Sequence, residues 1–486
     1  MLHVRLALAV PGCWPPSGLA GLRVLRLARA RLQSAITAGR RLRQRALRHF
    51  FLPSFLPLLP SPASRSLLVA NLLAQLAFGL LAMTLCLPSM QEWGALFGQA
   101  QGRVQLSFSG YVIAYGGLQL VYGPLSDRFG RRRVLLVGLA LAFAGSVLAA
   151  LSTTLDALIA ARVLQGAGAA AGMVIGRALV QDLFEGPERT RVMAWIGMAM
   201  GLIPPASAIV GGLLHVRLGW QAGFVLLAVL ALLLMLAAWR GLPARAGVGV
   251  GAGAGAGAGA GVAAAPSAPA AAATAQAAAP PWWRSMQSSY AQLLRQPTFL
   301  LYALVLSMTT AAFYTFLGGA PLVLGSYGIG PEGVGWYIGC IPLAYIGGNY
   351  ATSRLVRRTG EFRVMLAGQV LAIGGLLLTA ALAAAGWHTA LAFALPLAVL
   401  GVGHGLLMPT ALAGTIGVLP ALAGAAAAVA GLLQQLMGAT GGWLVGLVPH
   451  HGALNLALMM LGFTLLGALA QWGLSRSGVR SCLLPG

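Results

Sequence analysis

A chain of 486 residues that is 58% hydrophobic and 8% charged, with a mean hydropathy of +0.83, is too apolar for a water-soluble domain. Its net charge of +23 invites a nucleic-acid reading, but the arginines that carry it sit in an N-terminal extension and in short loops between apolar runs. Nucleic acid is therefore not an expected partner. Cys13, Cys86, Cys340 and Cys482 lack any paired spacing, and the one adjacent histidine pair, His450-His451, reads as a polar turn. No disulfide framework, metal site or cofactor is expected. No Ser-His-acid or phosphate-loop pattern occurs, which leaves an enzyme without candidate chemistry.

Residues 1–66 carry arginines and no acid. Arg23, Arg26 and Arg29, spaced by three among Leu, Val and Ala, suit a basic amphipathic helix on an anionic membrane surface. The alternative is a disordered extension, closed by the proline-rich run from Leu52 to Pro62. Twelve apolar segments follow, at 67–89, 104–125, 134–154, 156–176, 192–214, 221–240, 299–321, 333–353, 363–384, 390–412, 421–446 and 453–474. Each is close to the ~20 residues with which a helix crosses a bilayer. The connection 241–298, with its Gly-Ala run from Gly249 to Gly261, offers little to pack and divides the segments into two halves, 67–240 and 299–474. With the N-terminus inside, only Arg103 and Arg217 fall on the outer face and Arg162 within a helix, every other arginine lying inside. Both termini, including the tail 475–486, are then cytoplasmic, as in a multi-pass protein of a bacterial-type inner membrane.

The string Gly123-Pro-Leu-Ser-Asp-Arg-Phe-Gly-Arg-Arg-Arg133 crowds an acid among four arginines between segments two and three, and is expected to form a tight cytoplasmic loop. Asp127 needs a cation or a helix N-terminus, Arg128 and Arg131 mark the inner face, Gly123 suits close helix approach, and Gly130 suits a turn that resists a Cβ. Arg162, followed by Gln165 and Gly166, lies well inside segment four, where a guanidinium costs a few kcal/mol unless it faces a wet cavity or a partner such as Asp156. Gly197, Gly201, Pro204, Pro205, Gly211 and Gly212 thin and kink segment five, and each proline frees a carbonyl that another group must satisfy. His404, between Gly403 and Gly405, is the one deep histidine, either a group that titrates near neutral pH or a polar cavity wall. Gln75, Thr84, Tyr111, Tyr115, Gln119, Tyr314, Asn349 and Gln434 are available as polar anchors in a cavity.

These strings resemble motifs of the major facilitator superfamily: the loop around Asp127 is similar to that between helices two and three, the run around Arg162 to the fourth-helix motif, and the glycines and prolines of segment five to the fifth-helix antiporter motif. Further strings, including Arg177-Ala-Leu-Val-Gln-Asp182, Leu317-Gly-Gly-Ala-Pro321 and Leu407-Met-Pro409, resemble the bicyclomycin and chloramphenicol resistance branch of twelve-helix drug:proton antiporters. The resemblance implies an all-α polytopic membrane protein of major facilitator fold, with 12 transmembrane helices in two six-helix halves. It implies a secondary transporter, monomeric in the lipid bilayer, that exports small amphipathic molecules in exchange for protons by alternating access. It further implies a coupling role for Arg162 and a contact of Asp127 with the start of segment eleven, near Leu422 to Gly424. One position departs from the branch: Thr84 stands where helix one ordinarily carries an acid, and no other acid lies deep in a segment. Coupling would then fall to His404, whose protonation Arg162 would disfavour when near. An uncoupled facilitator or importer, and a sensor or scaffold that no longer transports, are the alternatives.

Overall fold

The computed structural model describes residues 62–242 and 282–476. The expected amphipathic stretch at Arg23 to Arg29 and the Gly-Ala run lie outside them, and the unit described is that of Ser66–Gly486. In the first half, α1 (Pro62–Thr84) turns through the short α2 (Met90–Phe97) into α3 (Gln101–Phe129). Four helices complete it: α4 (Arg131–Ala150), α5 (Leu155–Leu183), α6 (Gly186–Leu218) and α7 (Gln221–Gly241). The second half follows α8 (Trp282–Leu294) and comprises α9 (Pro297–Ser326), α10 (Pro331–Ile338), α11 (Cys340–Thr359), α12 (Glu361–Ala384), α13 (Ala390–Gly417), α14 (Ala423–Val445) and α15 (Ala453–Arg476).

Ten of these helices are long and apolar enough to cross a membrane. The two remaining expected crossings are α3 and the pair α10–α11, whose polar side chains explain their lower hydropathy. Gln105, Ser107 and Ser109 of α3 are buried against protein, as is Thr352 of α11, so these polar groups do not have to face lipid. The pair α10–α11 is one crossing broken at Gly339, because Pro342 has no N–H to return to the Ile338 carbonyl.

The linker expectation needs one correction. Part of 241–298 is the helix α8, whose Leu293 is fully buried and packs with Phe299, Ala303, Ala426 and Val429. The run Gly123–Arg133 is likewise less of a loop than expected: α3 continues through Asp127 and Arg128 to Phe129, and Gly130 alone separates it from α4. Gly130 can do this because φ is 95° there, a conformation that costs a residue with a Cβ dearly. Gly360 makes the matching turn between α11 and α12 at φ 84°, and both glycines donate to a carbonyl four residues back at 3.0 Å.

The halves repeat each other in detail. Thr154 caps α5 by accepting from the Ala157 N–H at 3.3 Å, and Thr389 caps α13 by accepting from Ala392 at 3.2 Å. Helix α5 packs on α3 and α4 as α13 packs on α11 and α12, and α4 meets α7 as α12 meets α15. Between the halves, α3 lies along α14, and α6 along α10 and α11.

Those two seams close only one end of the bundle, the end away from Arg131. There a Cβ at Gly102 would stand 3.2 Å from the Gly446 carbonyl, one at Gly212 would strike the Pro331 carbonyl, and one at Gly335 the backbone of Ile209. Gln105 Nε2 donates to the Gly318 carbonyl at 3.0 Å, Ser109 Oγ to the Ala439 carbonyl at 2.8 Å, and Gln91 to the Pro321 carbonyl. Toward the arginine-rich end the helices part. On the face of α14 that meets Gly116 through Gln435, a Cβ at Gly431 or Gly424 would meet nothing within 4 Å. On the facing side of α3, Gly123 has only Val174 of its own half, 3.9 Å away, so it is not the site of close approach expected of it.

If the seal rests on bare backbone approach, a side chain should break it. Gly446→Val is expected to raise the labelling rate of a Ser109→Cys reporter, from the sealed end, several-fold over the same reporter with Gly446 intact. An unchanged rate in normally folded protein would contradict the seal.

Candidate functional site

Arg162 stands at the middle of the first half, its side chain wholly buried on α5. Its Nη1 donates to the Ala82 carbonyl on α1 at 2.8 Å and to the Gln165 side chain one turn on. Gln165 Nε2 in turn donates to Ser146 Oγ of α4 at 2.7 Å, and Ser146 to the Ala142 carbonyl at 2.7 Å. The guanidinium carbon lies 4.2 Å from the centre of the Tyr111 ring of α3 and 5.9 Å from that of Phe224 of α7. The Tyr111 hydroxyl is fixed by donation to the Gly79 carbonyl at 2.7 Å. Asp156, offered by the sequence as a partner, instead pairs with Arg103 at 2.6 Å at the bundle end.

A charged group at mid-bilayer costs roughly 3 kcal/mol on insertion scales. Two hydrogen bonds from a cation, each worth about 1.5–3 kcal/mol, and a desolvated cation–π contact of about 2 kcal/mol offset this without a carboxylate. Gly166 makes the ring contact possible: a Cβ there would strike the Tyr111 carbonyl, so α5 and α3 could not approach. Nε and Nη2 of Arg162 have no hydrogen-bond partner among the described residues.

The sixth helix joins through Thr84. Its hydroxyl donates to the Leu80 carbonyl at 2.8 Å and lies against Ser207 Oγ of α6, whose hydroxyl reaches the Pro204 carbonyl at 3.0 Å. The Pro204-Pro205 step therefore places a polar pair at Thr84, the position for which the resemblance implies an acid. Gly211 lets α6 pass the Leu85 carbonyl, and Gly212 lets it pass Pro331 of the other half. Gly201 faces Ile346 of α11 so closely that a Cβ there would stand only 2.9 Å from its side chain. Gly197 is in α6, and its surroundings lie outside the described residues.

An aromatic cluster stands where the halves last touch. Tyr111 and Tyr115 stack with centroids 5.9 Å apart, Phe108 meets Tyr314 edge to face at 5.9 Å, and Tyr314 hydrogen-bonds the Gln435 side chain. The Tyr115 hydroxyl is buried and without a partner among the described residues. Below it Thr310 donates to Gln434 at 3.2 Å. Ser146, Ser207 and Gln435 were not singled out by the sequence; small hydroxyls and one amide of a Gln-Gln pair carry no spacing signal of their own.

At the arginine-rich end, Arg131 bridges Asp127 and, at 3.2 Å, Asp182 at the end of α5, and donates to Ser126 Oγ at 2.7 Å. Asp127 therefore joins helices of its own half and, in this open conformer, does not make the expected contact at Leu422 to Gly424. Arg128 stacks on Phe129, 5.4 Å from its centre. His404 is buried on α13, where Gly403 and Gly405 bring it against α12 and α11, and it has no hydrogen-bond partner among the described residues. Its neighbours and those of Arg162 come from different halves, so the expected charge coupling between the two has no contact to act through. His450, in the turn after α14, donates to the Val445 carbonyl at 2.8 Å, and burial holds its imidazole below the ordinary value.

Residues 67–442 match the model of the Major Facilitator Superfamily. The chain belongs to that superfamily. Its members are transporters rather than enzymes, and the multi-pass helical architecture follows. The chain is 27% identical to multidrug resistance protein D of Escherichia coli, over 83% of this chain and 93% of the relative. It is 27% identical to the chloramphenicol resistance protein of Pseudomonas aeruginosa, over 82% and 90%. Among solved structures, a bacterial homologue of the human lysosomal transporter Spinster, in an inward-facing and unoccupied conformation, superposes with a TM-score of 0.65 at 13% identity, covering 86% of this chain and 98% of that one. A D-xylose–proton symporter superposes at 0.61 with 14% identity, covering 84% and 97%. At those identities the structural likeness speaks for the major facilitator fold alone.

The Arg162 arrangement has a measurable consequence. Tyr111→Leu, which removes the ring, is expected to cost about 2 kcal/mol through the cation–π contact, while Tyr111→Phe should cost about 1 kcal/mol through its hydrogen bond. Melting temperatures in detergent would rank them, and a Phe variant as unstable as the Leu variant would refute the ring contact.

Proposed function

We propose that the chain is an efflux carrier of the drug-resistance type, which moves small amphipathic compounds out across a bacterial-type inner membrane by alternating access. The observation that carries this is that the two halves meet by backbone contact at one end and part toward the other, below the cluster of Tyr111, Tyr115, Tyr314 and Gln435, an arrangement that supports a chamber open at the arginine-rich end. The relatives named for multidrug, chloramphenicol and bicyclomycin resistance, each aligned over most of its length, support the substrate class. The arginine-rich end is cytoplasmic by the positive-inside rule, so both termini are cytoplasmic and this conformer loads from within. A monomer suffices, because one chain supplies both walls.

Exchange for protons is the coupling we propose, with His404 as the deep titratable group. A second reading, uncoupled facilitation, is favoured by the Thr84–Ser207 hydroxyl pair where an acid would otherwise take the proton.

Cells stripped of their own efflux pumps provide the test. Expression is expected to lower chloramphenicol accumulation several-fold, and Arg162→Met, present in the membrane at equal level, should abolish the effect. Equal accumulation with and without the wild-type protein would overturn the efflux reading. In proteoliposomes, chloramphenicol is expected to drive a proton current that His404→Gln abolishes and Thr84→Asp does not. A current that survives His404→Gln excludes the histidine, and transport without any current replaces exchange by facilitation.

A further inference from the structure

The charge of the chamber itself points to what it takes. The acids Glu92, Asp127, Asp156, Asp182, Glu185, Glu188, Glu332 and Glu361 stand in end turns of helices or beside them. None is at the depth of the tyrosine roof. Asp127 and Asp182 are both engaged by Arg131, and Asp156 by Arg103. Of the cations, one stands at that depth and one between it and the arginine-rich end. Arg162 lies behind Tyr111 as part of the roof, and Arg177 is exposed on α5, three helical turns below Gly166 and on the same face of the helix.

That face is the one turned to the interior. Gly172 and Gly176 of α5 pack on Gln75 and Leu76 of α1, and Gly168 packs on α4. Gly166 packs on Tyr111 of α3, and Arg177 continues along that line where α3 and α14 have separated. Among the described residues its guanidinium touches no carboxylate, and its one hydrogen-bond contact is Nη2 to Met200 Sδ of α6, at 3.8 Å. A thioether is a weak acceptor and leaves the cation available. Above it the Tyr115 hydroxyl, 2% exposed, is buried without a partner. The opening between the halves thus has an aromatic ceiling and, below it, a guanidinium that no carboxylate compensates among the described residues.

We infer that the chamber selects amphipathic anions, with Arg177 binding a carboxylate or sulfonate head while the apolar body lies under Tyr115 and Tyr314. This rests on the carrier reading and adds the substrate's charge to it. A substrate that carries the negative charge supplies what Thr84 withholds: the acid that most closely approaches Arg162 and Arg177 arrives with the cargo. A cationic compound would meet like charge on that path and be disfavoured.

Three probes that share one ring system separate the possibilities: naphthalenesulfonate, naphthalenesulfonamide and naphthyltrimethylammonium. In counterflow with purified protein in proteoliposomes, the sulfonate is expected to move about tenfold faster than the neutral sulfonamide, and the ammonium slowest, a ratio within reach of one partly screened ion pair. Arg177→Gln should bring the sulfonate-to-sulfonamide ratio to within twofold of unity, and Arg177→Lys should keep most of it. Wild-type preference for the sulfonamide or the ammonium, or a ratio untouched by Arg177→Gln, overturns the inference while leaving a carrier. Movement of none of the three, with chloramphenicol equally unmoved, is the failure of the carrier reading itself.

Discussion

A permanently charged side chain cannot be neutralised by giving up its proton, so a guanidinium at mid-membrane must be solvated by the protein. The first half of this chain is built around that requirement. Arg162 takes a carbonyl from α1, an amide from its own helix that is held by α4, and ring faces from α3 and α7. Thr84 and Ser207 add α6. The six long helices of the half are thereby tied together by buried polar contacts around α1 and α5, and breaking such contacts is costly enough to discourage internal rearrangement.

The seams between the halves are of another kind. They consist of glycines set against backbone, with neutral side-chain-to-carbonyl hydrogen bonds from Gln91, Gln105 and Ser109. By contrast, the arginine–carboxylate pairs among the described residues lie within the first half, Arg103 with Asp156 and Arg131 with Asp127 and Asp182, as does the His215–Glu92 contact. Neutral contacts worth around 1 kcal/mol each can be broken and remade during a cycle. Strong cohesion within a half and weak cohesion between halves is the condition for two bodies that rock about a shared site.

Much of this was legible in the sequence. The twelve apolar runs matched the crossings to within a few residues, and Gly130 was readable as a turn because it follows an arginine-flanked helix end. Arg162, Gln165 and Gly166 were legible as a unit, since a deep cation, an amide and a residue without a Cβ are each anomalous in a lipid-facing helix. What could not be read was direction. Periodicity does not say that Tyr111 turns its ring to Arg162 while Tyr115 leaves its hydroxyl bare, nor that Ser207 meets Thr84 across 123 positions. Asp127 was misjudged for a related reason: its contact depends on which end of the molecule is open, and a sequence encodes both conformers. The helix α8 was hidden by the low-complexity run before it, although Trp282, Trp283, Tyr290 and Leu293 are not linker residues by composition.

The claim on which the rest depends is that two rigid halves exchange an opening at one end for an opening at the other. Distances between paired spin labels test it directly, with Phe129 and Ala421 replaced by labelled cysteines at the arginine-rich end and Leu96 and Leu447 at the sealed end, all four being exposed positions. On adding a transported compound, the first distance is expected to shorten and the second to lengthen in the same sample. Two distances that stay fixed, or that change at one end only, would contradict alternating access in this chain.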